Sequence, residues 1–100
     1  MVKVWFAREG CDPTLGAPAY DGLLLEQCID RLGLEKKHWL YGLDRTPTFG
    51  RASNLPREPR HAVCQVDEPE ATDEAWMAGF YLLEISPKEV AKRLGPPVVG

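Results

Sequence analysis

The sequence predicts an α+β fold: a small, mainly antiparallel sheet of three or four strands with two main helices packed on one face. The strongest indication is Gly79–Gly95, where an apolar, aromatic-rich run leads directly into a capped amphipathic helix. A second amphipathic helix precedes it, and short apolar runs typical of strands alternate with segments rich in Pro and Gly. The 100 residues suffice for one domain, which we place at 1–95, followed by a loosely ordered tail at 96–100.

The composition is that of a folded globular protein with an acidic balance. Hydrophobic residues make up 44% and charged residues 27%, and the formal net charge is −3. This charge disfavours non-specific attraction to nucleic acid or to anionic lipid. Because no apolar run reaches the roughly 18–20 residues that a membrane span needs, and no secretory pattern opens the chain, we expect a cytoplasmic protein.

The first strand is predicted at Val2–Phe6, where Val2 and Val4 alternate with polar or aromatic neighbours. This alternation places Val2, Val4 and Phe6 on the core side and turns Trp5 to the opposite side of the sheet. Arg8–Ala19 follows as a long loop, because Pro and Gly recur along it.

The first helix is predicted to be capped by Asp21 and to end at Gly33. Its apolar positions step by three and four residues, as burial of one helical face requires, and they are Leu24, Leu25, Cys28, Ile29 and Leu32. After Gly33, Leu34 is expected to fold back onto the helix. A second, short helix is predicted at Glu35–Tyr41, with Trp39 facing inward.

Asp44–Arg60 is predicted to be a second long loop, since it contains three Pro and one Gly and shows no periodicity. A strand follows from about His61 to Asp67, with either Val63 and Gln65 or Cys64 and Val66 facing inward. The acidic stretch after it leads to one helical turn, capped by Thr72 and ended by Gly79.

The last two elements are a strand at Phe80 to Ile85 and a helix that begins after Ser86. Ser86, Pro87 and Glu89 form a capping-box pattern, in which the Glu89 carboxylate reaches back to the cap. Gly95 ends the helix before Pro96. Three strands are the fewest that are stable alone, so an additional strand or a partner chain is expected to complete the sheet.

The Asp44–Arg60 loop is the most distinctive chemical feature, because it carries Arg45, Arg51, Arg57 and Arg60. Guanidinium groups pair with carboxylates and phosphates in two-point geometry, so this loop could hold an anionic ligand or an acidic partner. The alternative is that these arginines pair with the protein's own acids downstream, Asp67, Glu68, Glu70, Asp73 and Glu74.

Three side chains outside the loop join the predicted site. His61 follows the loop directly, and Trp5 and Tyr81 are expected on the sheet face opposite the core, where aromatic rings can form a binding hot spot. A sheet that is apolar on both faces needs a second layer or another subunit, and this is the basis for expecting a homodimer.

The sequence supports catalysis and metal binding less well. The three cysteines, Cys11, Cys28 and Cys64, form no Cys-x-x-Cys pair, so neither a disulfide framework nor a zinc site is indicated. Cys64 and His61 lie three residues apart on one predicted strand and would point to opposite faces. A dyad of Cys11 with His38 or His61, and a cleft between the two long loops, remain the enzymatic alternative.

The helix–Gly–helix stretch Leu24–Gly42 resembles the helix-turn-helix family of DNA-binding motifs over about a fifth of the chain. Gly33 falls in the turn, and the resemblance implies that Lys36, Lys37 and His38 lie on the helix that contacts DNA. This is a further alternative function.

The function best supported by the sequence is that of a small non-catalytic binding or accessory protein. It would hold a partner protein or a small anionic ligand through the Arg- and Pro-rich loop and nearby aromatic side chains. We expect no catalytic residue, cofactor, metal, nucleic-acid partner or membrane association.

Overall fold

The computed structural model describes residues 1–7, 13–43, 61–67 and 76–97. In these ranges the chain forms two α-helices, two short 3-10 turns and five strands. The strands are β1 (Val2–Phe6), β2 (Tyr20–Leu23), β3 (Trp39–Tyr41), β4 (Ala62–Val66) and β5 (Gly79–Leu83); the helices are α1 (Leu25–Leu32) and α2 (Pro87–Leu94); the 3-10 turns are Pro13–Leu15 and Lys36–His38.

All five strands form one antiparallel sheet in the order β2-β1-β4-β5-β3. The predicted α+β class is therefore confirmed, whereas the predicted count of three or four strands is wrong. The difference comes from two segments, Tyr20–Leu23 and Trp39–Tyr41, that the sequence analysis assigned to a helix start and to a short helix.

Tyr20–Leu23 is an edge strand because pairing with β1 overrides its weak helical pattern. Val4 pairs with Tyr20 and Val2 with Leu23, with a register shift between the two pairs. Gly22 adopts a φ of +75°, a left-handed conformation that suits an irregular edge strand. Asp21 is exposed within this strand and does not cap a helix.

The first helix consequently starts later than predicted, at Leu25. The backbone N–H of Leu24 donates to Oε1 of Gln27 at 3.0 Å, which fixes the entry into α1. Leu25, Cys28 and Leu32 of the predicted stripe are buried, while Leu24 is 44% exposed because it lies at the cap.

The predicted end of this helix is confirmed. Gly33 has a φ of +72°, and the N–H of Leu34 donates to the carbonyl of Cys28 at 3.2 Å. This turn buries the Leu34 side chain. The short helix predicted next is wrong: Lys36–His38 makes a single 3-10 turn, and Trp39 then pairs with Tyr81 in the sheet.

Strand β4 resolves the ambiguity that its sequence left open. Ala62, Cys64 and Val66 face the helices, and Val63 faces the other side together with Trp5 and Phe80. Strand β5 ends at Leu83, two residues earlier than predicted.

The start of α2 agrees with the sequence pattern in part. The backbone N–H of Glu89 donates to Oγ of Ser86 at 3.2 Å, and Pro87 occupies the first turn. The Glu89 carboxylate was predicted to bond back to the cap, but it accepts instead from Nε of Arg93 at 3.0 Å. Gly95 ends the helix with a φ of +88°, and its N–H donates to the carbonyl of Ala91.

The sheet is apolar on both sides. On the helix face, the residues of β1, β4 and β5 pack against α1 and α2; buried members include Val4, Cys64, Tyr81, Cys28 and Val90. The opposite side, called here the second face, carries Trp5, Val63 and Phe80, against which Leu40, Leu43 and Leu82 pack.

Several predicted segments lie outside the described residues: residues 8–12 of the Arg8–Ala19 loop, the whole Asp44–Arg60 loop, the Thr72 cap and residues 98–100 of the tail. Trp76–Ala78, predicted to finish a helical turn, enters β5 without helical structure. The limits of the domain stay a prediction. Within the described residues, no helix has the length and apolar character that crossing a membrane requires.

Candidate functional site

Only some of the predicted binding residues lie within the ranges that the structure describes. Trp5, His61 and Tyr81 lie in the described fold, whereas Arg45, Arg51, Arg57 and Arg60 lie outside it. Trp5 lies on the second face and Tyr81 on the helix face, while His61 lies directly before β4.

Trp5 lies on the second face, as its alternation with Val2 and Val4 predicted. The ring is only 7% exposed, and its Nε1–H donates to the carbonyl of Gly16 at 2.9 Å. The bond ties β1 to the chain just after the 3-10 turn Pro13–Leu15. Trp5 is thus buried on the second face. Its role in binding stays a prediction.

His61 directly precedes β4, at the end of the sheet where the Asp44–Arg60 segment rejoins it. Its carbonyl accepts from the N–H of Ala7 at 3.0 Å, so the antiparallel pairing of β1 and β4 continues past Ala62. Its side chain is half-buried. Within the described residues, its buried Nδ1 has no hydrogen-bond partner.

Tyr81 faces the helices and not the second face, so the predicted orientation is wrong. The cause is the alternation of β5: Tyr81 lies across from Cys64 on the helix face, while Phe80 and Leu82 point the other way. Tyr81 is fully buried, and its hydroxyl donates to the carbonyl of Met77. Burial raises the pKa of this phenol. A side chain so enclosed presents no surface to a partner.

A cleft of about 510 Å³ opens between the end of α1, the second 3-10 turn and the start of α2. Leu32 and Leu83 are its buried apolar residues, and His38, Glu84 and Arg93 bring polar groups to it. The Arg93 guanidinium donates to Glu89 and to the carbonyl of Arg31, so it is held within the fold. The sequence analysis missed this cleft, because the helix packing that forms it has no local signature.

The two described cysteines are poor nucleophiles. Cys28 and Cys64 are both buried on the helix face. Burial raises the pKa of the Cys28 thiol to about 12 and also raises that of Cys64. Both therefore remain protonated near neutral pH, and a thiol in that state is unreactive. Cys64 faces the helices, the opposite orientation of His61 stays a prediction, and Cys11 lies outside the described residues.

Two further alternatives from the sequence have a structural outcome. The resemblance to helix-turn-helix motifs requires a second helix after Gly33, and the described chain has a 3-10 turn and β3 there. Among the described residues, no group of three or more His, Cys, Asp or Glu side chains is placed to hold a metal ion.

Comparison with known proteins finds no relative: no family model matches the chain, and no curated protein or solved structure matches it.

Proposed function

We propose that this chain is a small non-catalytic binding protein, which holds an acidic partner protein through the arginine-bearing segment 44–60. Arg45, Arg51, Arg57 and Arg60 supply the cationic groups. Trp5 belongs to the second-face cluster that Leu43 contacts, and His61 follows the segment directly. Tyr81 has no part in this proposal, because it is enclosed in the helix-face core. A small anionic ligand is the other outcome of the test below. Cytoplasmic location and a homodimer stay predictions.

The observation that supports the proposal most is that the residues on either side of the segment belong to the described sheet layer. Leu43 packs against the second-face cluster of Trp5, Val63 and Phe80, and the carbonyl of His61, directly before β4, accepts from the N–H of Ala7. The segment that carries the four arginines is therefore joined at both ends to described parts of the sheet layer.

The competing explanation is that the arginines pair with the protein's own acids. One of those acids is already engaged, because the Asp67 carboxylate accepts from the N-terminal ammonium of Met1 at 3.0 Å. Both groups of this pair are substantially exposed, so its contribution to stability is small. Its relevance is that Asp67 has a cationic partner other than an arginine.

Titration of the isotope-labelled full chain would test the proposal. A short poly-glutamate peptide and inorganic pyrophosphate serve as separate probes at low ionic strength, where charge interactions are least screened. The reporters are the Trp5 indole N–H of β1 and the Ala7 amide, which donates to the carbonyl of His61 directly after the segment. We expect saturable shifts with the peptide; saturation by pyrophosphate alone would instead identify a small anionic ligand as the occupant.

A pair of double variants separates specific from general charge effects. Arg51→Ala with Arg57→Ala removes two charges from the segment, and Lys88→Ala with Lys92→Ala removes two from the exposed side of α2. We expect the arginine variant to lose at least about tenfold in affinity, since hydrogen bonds to charged groups contribute about 1.5–3 kcal/mol each. The lysine variant should bind like the wild type. Equal losses in both variants, or no saturable binding by either probe, would contradict the proposal.

A further inference from the structure

We propose that the cleft between α1 and α2 binds a small zwitterion, namely a free α-amino acid with an apolar side chain. The residues that form this site belong to the described part of the chain, at the ends of α1 and β5, in the second 3-10 turn and at the start of α2. The site goes beyond the proposed binding function and stands independently of it, because none of these residues belongs to segment 44–60.

The buried part of the cleft lining is apolar. Leu32, at the end of α1, and Leu83, at the end of β5, are both buried members of the helix-face core. Ile85 is half-buried, packs against the same core and also lines the cleft. The volume of about 510 Å³ falls within the roughly 300–1,000 Å³ of small-molecule sites. These side chains favour a ligand that carries an aliphatic or aromatic group.

Hydrogen-bond donors line the same cleft. The backbone N–H of Glu35 donates to Nδ1 of His38 at 3.0 Å, so the proton of the neutral His38 ring is on Nε2. The Arg93 guanidinium is fixed by its bonds to Glu89 at 3.0 Å and to the carbonyl of Arg31 at 3.3 Å. A guanidinium has five N–H groups, and these two contacts leave three of them for a ligand. His38 and Arg93 thus supply donors that suit a carboxylate.

A carboxylate without a cationic partner lines the cleft as well. Glu84, in the connection between β5 and α2, is exposed and forms no ion pair with any residue in the described ranges. Glu89 bonds to Arg93 through Oε1, and its Oε2 takes no part in that bond. Two carboxylates and one guanidinium leave the lining acidic when His38 is neutral. This balance favours a ligand that brings an ammonium group.

Groups of opposite charge therefore share one cleft without pairing with each other. Arg93 forms its salt bridge with Glu89 and none with Glu84. A zwitterion can bridge these groups, because its carboxylate accepts from Arg93 and His38 while its ammonium donates to Glu84. An α-amino acid carries both groups on one carbon, which leaves its side chain for the apolar lining. A dianion would instead meet two glutamates, and such juxtaposition of like charges is costly.

Titration of the isotope-labelled full chain with three matched probes would test the proposal. L-Leucine carries both charged groups, 4-methylpentanoate lacks the ammonium, and 3-methylbutylamine lacks the carboxylate. The reporters are the Leu83 and Ile85 methyl groups and the Gly33 amide, all at the cleft. We expect saturable shifts with leucine and binding at least about tenfold weaker for each of the other probes, since each loses hydrogen bonds to a charged group. No saturable binding of leucine, or equal binding of either single-charge probe, would overturn the proposal.

Two variants test which residue holds the ammonium. Glu84→Gln removes the proposed partner and keeps the size of the side chain, and Glu26→Gln removes a charge from the exposed start of α1, outside the cleft lining. In Glu84→Gln, leucine should bind no more tightly than 4-methylpentanoate, whereas in Glu26→Gln it should keep its advantage. An advantage that persists in Glu84→Gln, or that disappears in both variants, would contradict the assignment. If a variant fails to fold, the comparison of the three probes on the wild type decides between the outcomes given above.

Discussion

The loss of stability on replacing Val63 with Thr measures whether water is excluded from the second face as it is from the core under the helices. The change keeps the shape of the side chain and converts one methyl group to a hydroxyl. Val63 is 0% exposed on a central strand. Burying a hydroxyl without a compensating hydrogen bond costs about 1–3 kcal/mol in proteins.

Val4→Thr is the matched reference for this measurement. Val4 is also 0% exposed and lies on the neighbouring strand, but it faces the helices. We expect both variants to lose about 1–3 kcal/mol in the free energy of unfolding, measured by urea denaturation. Each kcal/mol lowers Tm by about 4–8 °C in a domain of this size.

The reasoning would be refuted if Val4→Thr lost stability and Val63→Thr did not. Thr has high strand propensity, so at a solvated strand position the change should stay within about 0.5 kcal/mol of the wild type. A full loss for Val4→Thr with a neutral Val63→Thr would show that water reaches the second face. An unchanged dependence of unfolding on denaturant in both variants would confirm that the comparison concerns the same folded state.

Three further outcomes follow from described contacts. Ser86→Ala should lower the free energy of unfolding by about 1 kcal/mol, because the helix cap on Glu89 is lost, and Ser86→Asp should restore most of it, both read from urea denaturation. Tyr20→Phe should cost about 0.5–1.5 kcal/mol by the same assay, since its hydroxyl donates to the Gly95 carbonyl at 2.7 Å and joins β2 to the end of α2; a neutral result would contradict this tie. The free energy of unfolding should decline as pH rises above about 9. The reason is that burial raises the pKa of the Cys28 thiol to about 12 in the folded state, while the unfolded thiol loses its proton at lower pH. Unfolding measured at successive pH values should show a smaller decline for Cys28→Ala.

Local patterns predicted the elements whose signals agree with their tertiary surroundings. The alternation in Val2–Phe6 gives the correct faces of β1, and the Ser86 cap and the Gly33 stop occur as predicted. In these places the strand period or the capping chemistry is a property of a few adjacent residues. Such signals need no knowledge of the rest of the fold.

The errors arise where long-range pairing decides the structure. Tyr20–Leu23 lies at the start of a helical pattern, but pairing with β1 makes it a strand. The sequence around Trp39 also fits a short amphipathic helix, but Trp39 pairs with Tyr81 of β5 and is part of the sheet. The predicted face of Tyr81 was wrong for a related reason. An apolar run without polar alternation does not show which of its residues face the helices.

The candidate site stays a prediction, and the sequence indicates the types of residue in it better than their positions. The concentration of arginines is visible in the sequence, and so is the aromatic character of the sheet. The positions of Leu43 in the second-face cluster and of His61 beside Ala7 depend on the strand order β2-β1-β4-β5-β3, which no local pattern encodes. The cleft between α1 and α2 depends likewise on how the two helices pack.

Solvent accessibility of individual methyl groups, probed with a soluble gadolinium chelate, is the most direct test of a sheet closed on both faces by one chain. We predict that the Val63 methyl groups are protected as strongly as those of Val4, at every protein concentration. The Met77 methyl group, on a residue that is 53% exposed, gives the reference for open contact with solvent. Relaxation of Val63 at the level of Met77, or protection that disappears on dilution, would contradict the account.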